Sequence, residues 1–181
     1  MNLPNFISLA RLLSTPVVVW LMLTGAMGLA FWLFALAALS DAVDGYVARR
    51  NHGETVLGAY LDVLADKVLL ASVYVVLGAV GYLPLWLVML VVFRDLLIVG
   101  GVLLLRLLAL PFKMRPLMVS KVNTLAQIML GLAVLARLGF DLTVEDAEVV
   151  LIYGVAVTAL ASGASYIVEW MRVVGRTEVN Q

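Results

Sequence analysis

The chain contains no cysteine and a single histidine, His52, in 181 residues. The first absence excludes disulfides, a thiol nucleophile and thiolate-ligated zinc. The second excludes a histidine-rich metal site. Charge is scarce too: 13% of residues are Asp, Glu, Lys or Arg, and the formal net charge is zero. No internal repeat, low-complexity tract or soluble domain stands out, so residues 1–181 read as one domain. What fills the chain is apolar. Hydrophobic residues make up 64% and the mean hydropathy is +1.09, against roughly 45–50% apolar residues in a soluble domain. The expected fold class is an all-α integral membrane protein.

The first apolar run, after Arg11, with small residues around Gly25 to Ala30, imitates a signal peptide. The stretch before Arg11 has no basic side chain, and the chain stays apolar to its end, so the run reads as a first span. A spanning helix needs about 20 mostly apolar residues. That criterion predicts six transmembrane helices, over about 5–24, 28–50, 56–80, 84–109, 118–138 and 147–173. Gly25 and Gly28, Asn51 and Gly53, Gly81 and Pro84, Pro111 and Pro116, and the polar run Asp141–Glu148 mark the joints.

Basic residues orient this layout. Arg49, Arg50, Lys113, Arg115, Lys121, Arg172 and Arg176 fall on one side. The other side has acids instead, with Arg137 the exception. The positive-inside rule then places both termini and the Lys113–Lys121 loop in the cytoplasm.

Against this background four acids are out of place. Asp41 and Asp44 are three residues apart at the end of span two; Asp62 and Asp66 are four apart at the start of span three. On helices each pair shares a face, and antiparallel neighbours joined by a short turn can bring the faces together at the cytoplasmic end. Acids at membrane depth are expensive and usually functional. Arg49 and Lys67 could pair two of them in a structural network, but two would remain. A divalent metal is the simplest compensation, because hard cations take carboxylate oxygens. Gly45, Ala48 and Gly58 are small and allow close approach of a ligand or helix. Arg49, one turn past Gly45, is placed to meet a phosphate.

Written out, the segment is D-x2-D-G-x2-A-R-x8-G-x3-D-x3-D from Asp41 to Asp66. It resembles, at every fixed position, the signature of the CDP-alcohol phosphatidyltransferase family. The six-span layout and the opening Pro4-Asn5 with Arg11 resemble the family as well. The resemblance implies transfer of a phosphatidyl group from CDP-diacylglycerol to an alcohol, with loss of CMP. It implies Mg2+, with Mn2+ as a substitute, on Asp41, Asp44 and Asp62. Asp66 would join the metal site or act as general base. Gly45, Ala48, Arg49, Gly58 and Asn5 would line the nucleotide and pyrophosphate site. It further implies a homodimer among membrane lipids, in a bacterial inner membrane, with no nucleic acid among its partners. General chemistry agrees: phosphoryl transfer asks chiefly for charge neutralisation, and a carboxylate among carboxylates gains proton affinity, as a base requires.

A second charged group, Arg94, Asp95, Arg106, Lys113, Arg115 and Lys121, reads as the acceptor side. Arg94 falls near mid-span and should meet an acid or a phosphate inside the bundle. Adjacent Arg94 and Asp95 should point in different directions on a helix. Ser120 is expected to cap span five, with Lys121, Thr124 and Gln127 along one stripe. Arg94, Arg115 and Lys121 are the candidate acceptor ligands. The run R-P-x3-S-K-x-N-T-x2-Q resembles the branch that makes glycerol-based anionic lipids. Phosphatidylglycerol, giving cardiolipin, is favoured as acceptor over glycerol 3-phosphate. Two rivals fit less well. A membrane prenyltransferase would carry separately repeated Asp-rich patches. A cation transporter would show inverted repeats and mid-membrane helix breaks.

Overall fold

The computed structural model describes residues 3–48, 56–107, 118–143 and 145–178, with side chains described for 10–40, 67–101, 103–104, 118–143 and 146–171. Six helices follow one another: α1 (Leu3–Leu23), α2 (Met27–Ala48), α3 (Val56–Ala79), α4 (Leu85–Leu107), α5 (Met118–Phe140) and α6 (Glu145–Glu178). Each lies within a few residues of the apolar run that predicts it. No strand occurs among the described residues.

Two turns have defined chemistry. Gly25 follows α1 at φ 81° and Gly81 follows α3 at φ 90°. In both, the residue after glycine reaches back over the helix end: Ala26 N–H donates to Leu21 O and Tyr82 N–H to Leu77 O, each at 2.8 Å. The glycine N–H groups donate to Met22 O at 3.2 Å and Gly78 O at 3.1 Å. This left-handed closure satisfies carbonyls that the helix end would otherwise leave unpaired.

α1 packs most extensively on α3, α5 on α6, α2 on α5 and α1, and α4 on α6. Val18, Met22, Phe34, Val73, Tyr74, Leu77, Leu87, Leu130, Val134 and Leu135 form the buried centre. Tyr74 brings a hydroxyl into it and donates to the backbone O of Gln127 at 3.0 Å.

Among the described residues, large apolar side chains also cover the outside. Leu13 and Trp20 of α1, Leu29 and Trp32 of α2, Val75 of α3, Met89 and Phe93 of α4, Leu125 and Met129 of α5, and Val150 and Val157 of α6 are all exposed. Water would penalise such a surface, and lipid does not. Among the described residues, Met118–Phe140 and Asp146–Met171 are long and apolar enough to cross a membrane. Shorter apolar stretches run through Ala10–Leu23, Met27–Ser40 and Lys67–Ala79.

The end of the bundle where α2 begins and α5 finishes is closed tightly. Phe31, Trp32 and Phe140 meet edge to face, with ring centroids 5.3 to 6.4 Å apart. Arg137, the cation that the charge pattern leaves on the wrong side, is answered there: its Nε donates to Glu148 Oε1 at 2.6 Å. Beside them Gly139 lies against the backbone of Gly28, and a Cβ on Gly139 would come within 2.6 Å of Gly28 Cα and N. A Cβ on Gly28 would meet only ordinary contacts, the nearest 3.5 Å away. Gly139→Ala should therefore force α5 from α2 and cost about 1–3 kcal/mol, while Gly28→Ala should be nearly neutral. Thermal unfolding in detergent, followed by tryptophan fluorescence, checks the contrast.

Candidate active site

The backbone places the signature at one end of the bundle. Asp41 and Asp44 lie in the last turns of α2, with Gly45 and Ala48 following; Gly58 opens α3 and Asp62 and Asp66 come after it. Asn5 lies in the first turn of α1. The side chains of all these residues, and Arg49 and Arg115 altogether, lie outside the described residues. Arg94 and Lys121 are described.

One turn farther into the bundle the structure is explicit. A cavity of about 30 Å³ is lined by Arg11 of α1, Phe34, Ala37 and Ala38 of α2, Leu69 and Leu70 of α3, and Thr124 and Ile128 of α5. Ala37 precedes Asp41 by one turn, and Leu70 follows Asp66 by one turn. The cavity is thus lined by the turn of α2 before the first aspartate pair and the turn of α3 after the second. Phe34, Ala37, Leu69 and Leu70 make its walls apolar. Arg11 gives it a cation that is itself 4% exposed.

On the other flank of α3 lies an ionic network. Lys67 Nζ meets Asp95 Oδ1 at 2.9 Å, and Arg94 Nη1 meets the same oxygen at 2.5 Å. Arg94 Nη2 donates to Ser120 Oγ at 2.5 Å and to Ser162 Oγ at 2.6 Å, and Arg94 Nε donates to Ser162 Oγ at 3.2 Å. One arginine thus ties α4 to α5 and α6, while one carboxylate ties it to α3. Next to it, Thr158 Oγ1 donates to Asn123 Oδ1 at 2.9 Å. The amide nitrogens of Asn123 and Gln127 are buried without a hydrogen-bond partner. Gly101 lets α6 come close to α4, for a Cβ there would collide with the Trp170 indole, whereas one on Gly163 would make only an ordinary contact with Arg94 Cγ at 4.0 Å.

Three sequence expectations change here. Arg94 does meet an acid, but that acid is its neighbour Asp95. Successive residues on a helix diverge by about 100°, and the long arginine stem bends back across that angle. Ser120 is not a cap: it lies inside α5, which begins at Met118, and its hydroxyl accepts from Arg94. Lys121, Thr124 and Gln127 do not share one environment, since Lys121 is exposed, Thr124 half-buried and Gln127 buried. A three-residue step drifts about 60° per turn of stripe, enough to carry the last member into the core. Sequence reading also missed Ser162, Thr158 and the Lys67–Asp95 pair, and it gave Asn123 no partner. The available signal was the need of any buried charge for a partner, but it does not say which of six helices supplies it.

Such a bundle, polar along one inner seam and carrying two acid pairs at one end, matches a known class. The sequence profile of the CDP-alcohol phosphatidyltransferase family covers residues 1–170, and the chain belongs to that family. Its relatives carry two kinds of name. A rice (Oryza sativa subsp. japonica) chloroplastic CDP-diacylglycerol–glycerol-3-phosphate 3-phosphatidyltransferase 1 is 36% identical over 96% of this chain and 58% of its own length. A human cardiolipin synthase (CMP-forming) is 32% identical over 91% of this chain and 60% of its own length. A probable phosphatidylglycerophosphate synthase of Mycobacterium tuberculosis is 31% identical over 96% of this chain and 84% of its own length. The chain thus spans about 60% or less of the rice and human proteins.

Arg94→Ala should remove the hub of the network and leave Asp95, Ser120 and Ser162 short of partners. Breaking a buried ion pair from one side typically costs about 3–5 kcal/mol, so a large drop in unfolding temperature is expected in detergent. Arg94→Lys, which keeps the charge but not the fork, should recover only part of it. Unfolding curves of both variants against the parent chain measure this.

Proposed function

We propose that this chain transfers the phosphatidyl group of CDP-diacylglycerol to the hydroxyl of a glycerol-based acceptor and releases CMP. The observation that carries this reading is the eight-position signature, seven of whose positions lie on α2 and α3 at one end of an apolar bundle. Residues 1–181 act as a single domain whose six helices all span the membrane. The clustering of Lys and Arg at the signature end supports a cytoplasmic site, and a bacterial inner membrane and a homodimer complete the proposed setting.

The donor set fits a divalent cation. Both carboxylate pairs lie at the same end of consecutive helices, and with no cysteine and one histidine in the chain, oxygen is the ligand on offer. Asp41, Asp44, Asp62 and Asp66 would hold the metal, Mg2+ or Mn2+. Bound there, it supplies charge neutralisation on the pyrophosphate and the departing CMP. Asp66 takes the proton of the acceptor hydroxyl, whose oxygen forms the new bond to the phosphatidyl phosphorus as the bond from that phosphorus to the CMP oxygen breaks. The proton passes from Asp66 to water. Gly45, Ala48 and Gly58 give the nucleotide room, while Asn5 and Arg49 bind its polar groups and phosphates. Arg115, Lys121 and Arg94 form the acceptor side. Lys121 is exposed at the start of α5, whereas Arg94, 2% exposed, contributes its charge from behind. Phosphatidylglycerol is the favoured acceptor on the R-P-x3-S-K-x-N-T-x2-Q run; glycerol 3-phosphate is the second reading, and relatives bear names of both kinds.

The test is direct. Purified protein receives CDP-diacylglycerol and Mg2+ with either acceptor, and CMP and the lipid product are identified. Cardiolipin is expected with phosphatidylglycerol. Product with glycerol 3-phosphate alone would reverse the acceptor, and no CMP with either would end the reading. Chelation should stop turnover and added Mg2+ restore it. Asp66→Asn should lower kcat by about 10²-fold or more, the scale of general-base catalysis, while CDP binding partly survives. Asp41→Asn should lose activity together with its Mg2+ dependence, which a metal titration reads.

A further inference from the structure

We propose that Lys67 takes a phosphate oxygen of the acceptor, and that Asp95 is the positioning residue that holds it there. This rests on the phosphatidyl-transfer reading above. Neither residue belongs to the signature.

The inference starts from charge. Lys67 and Arg94 bring two positive charges to a single oxygen of Asp95, so among the described residues these three side chains sum to one positive charge. That charge lies in a bundle with little water to screen it, where an anion is the stabilising partner. The two cations are not equally able to receive one. Arg94 has five N–H donors. Asp95 takes one from Nη1, Ser162 one from Nε, and Ser120 and Ser162 take those of Nη2. The Arg94 side chain is 2% exposed, whereas that of Lys67 is 26% exposed. Of the three ammonium protons of Lys67, the contact with Asp95 engages one. The second Nη1 proton of Arg94 is shut in with its side chain, so the donors both available and reachable are those of Lys67.

Position agrees with charge. Lys67 directly follows Asp66 and departs from α3 about 100° around the helix from it. Leu69 and Leu70 face the cavity shared with α1, α2 and α5. Lys67 is drawn the other way, to α4. The network it joins continues to Ser120, one residue before Lys121. An acceptor entering on the α4–α5–α6 flank would bring its phosphate to Lys67 while its hydroxyl faces the acids. Both acceptors under consideration carry a phosphate, so the shared chemistry is a phosphate oxygen.

Initial rates of the full chain are to be measured for Lys67→Gln, Lys67→Arg and Asp95→Asn, varying donor and acceptor in turn. Separate arms use phosphatidylglycerol and glycerol 3-phosphate. Lys67→Gln should raise the acceptor KM by about tenfold, the scale of one charge-assisted hydrogen bond, with donor KM and kcat little changed. Lys67→Arg should restore most of it. Asp95→Asn should raise the acceptor KM less than Lys67→Gln, since the ammonium remains but is no longer held. The arm showing the larger effect identifies the phosphate involved. An unchanged acceptor KM in Lys67→Gln overturns the proposal, as does a rise in donor KM instead. So does a fall in unfolding temperature with both KM values intact, which would make Lys67 purely structural. A parent chain active while Lys67→Gln matches it overturns this proposal alone. A parent chain inactive on both acceptors overturns the underlying reading and this proposal with it.

Discussion

An ion inside a bundle solvated by lipid has no water to turn to, so the bundle must answer it with its own charges and dipoles. Asp95 meets that demand for two cations at once, and much of the architecture is arranged around the result. Its one oxygen joins α3 to α4 through Lys67, and Arg94 extends the connection to Ser120 of α5 and Ser162 of α6. Apolar packing between helices in lipid is a weak chooser of register, because lipid tails compete on equal terms with leucine. A fork of hydrogen bonds to fixed partners is a strong one. The glycine at 101 fits the same logic, for it leaves room for Trp170 of α6 against α4.

The two ends of the bundle differ in kind. One is sealed by the Gly28–Gly139 approach, the aromatic trio around Phe140 and the Arg137–Glu148 pair. Moving along the helices from there, polar side chains accumulate: Gln127 and Tyr74, then Asn123 and Thr158, then the Arg94 network, then the acids of α2 and α3. The proposed transfer, which takes a phosphatidyl group from a nucleotide-linked lipid and releases a water-soluble nucleotide, calls for this gradient. The acyl chains need an apolar flank, and the pyrophosphate needs charge at an end that water reaches. α3 carries both requirements, with Leu69 and Leu70 on the cavity side and Lys67 on the ionic side.

Helix boundaries were legible in the sequence because hydropathy and breakers act locally. Gly25 and Gly81 end their helices by their own backbone freedom, and no distant partner is needed to see it. The signature was legible for a related reason, since its eight residues sit at fixed spacing within 26 positions. The Arg94 network was not, because its members come from four helices and the spacing between them has no period. Even the local rule misled: residues one apart on a helix diverge, yet Arg94 and Asp95 pair through the length of the arginine stem. Arg137 shows the opposite case. It broke the charge pattern in the sequence, and the structure explains it by a partner eleven residues on, across the α5–α6 turn.

The choice of acceptor is where these strands meet. At neutral pH a phosphate monoester carries about −1.5 to −2 charges, and a phosphodiester such as phosphatidylglycerol carries one. Among the described residues, the side chains of Lys67, Arg94 and Asp95 sum to one positive charge, which balances a diester. A monoester would draw on further cations, and Lys121, exposed in the first turn of α5 next to Ser120, is one such cation. On the proposed reading Asp95 is therefore more than a clamp. By cancelling one of two buried charges it sets the anion that the inner site matches, and it leaves the outer lysine to decide how much more charge the site will accept.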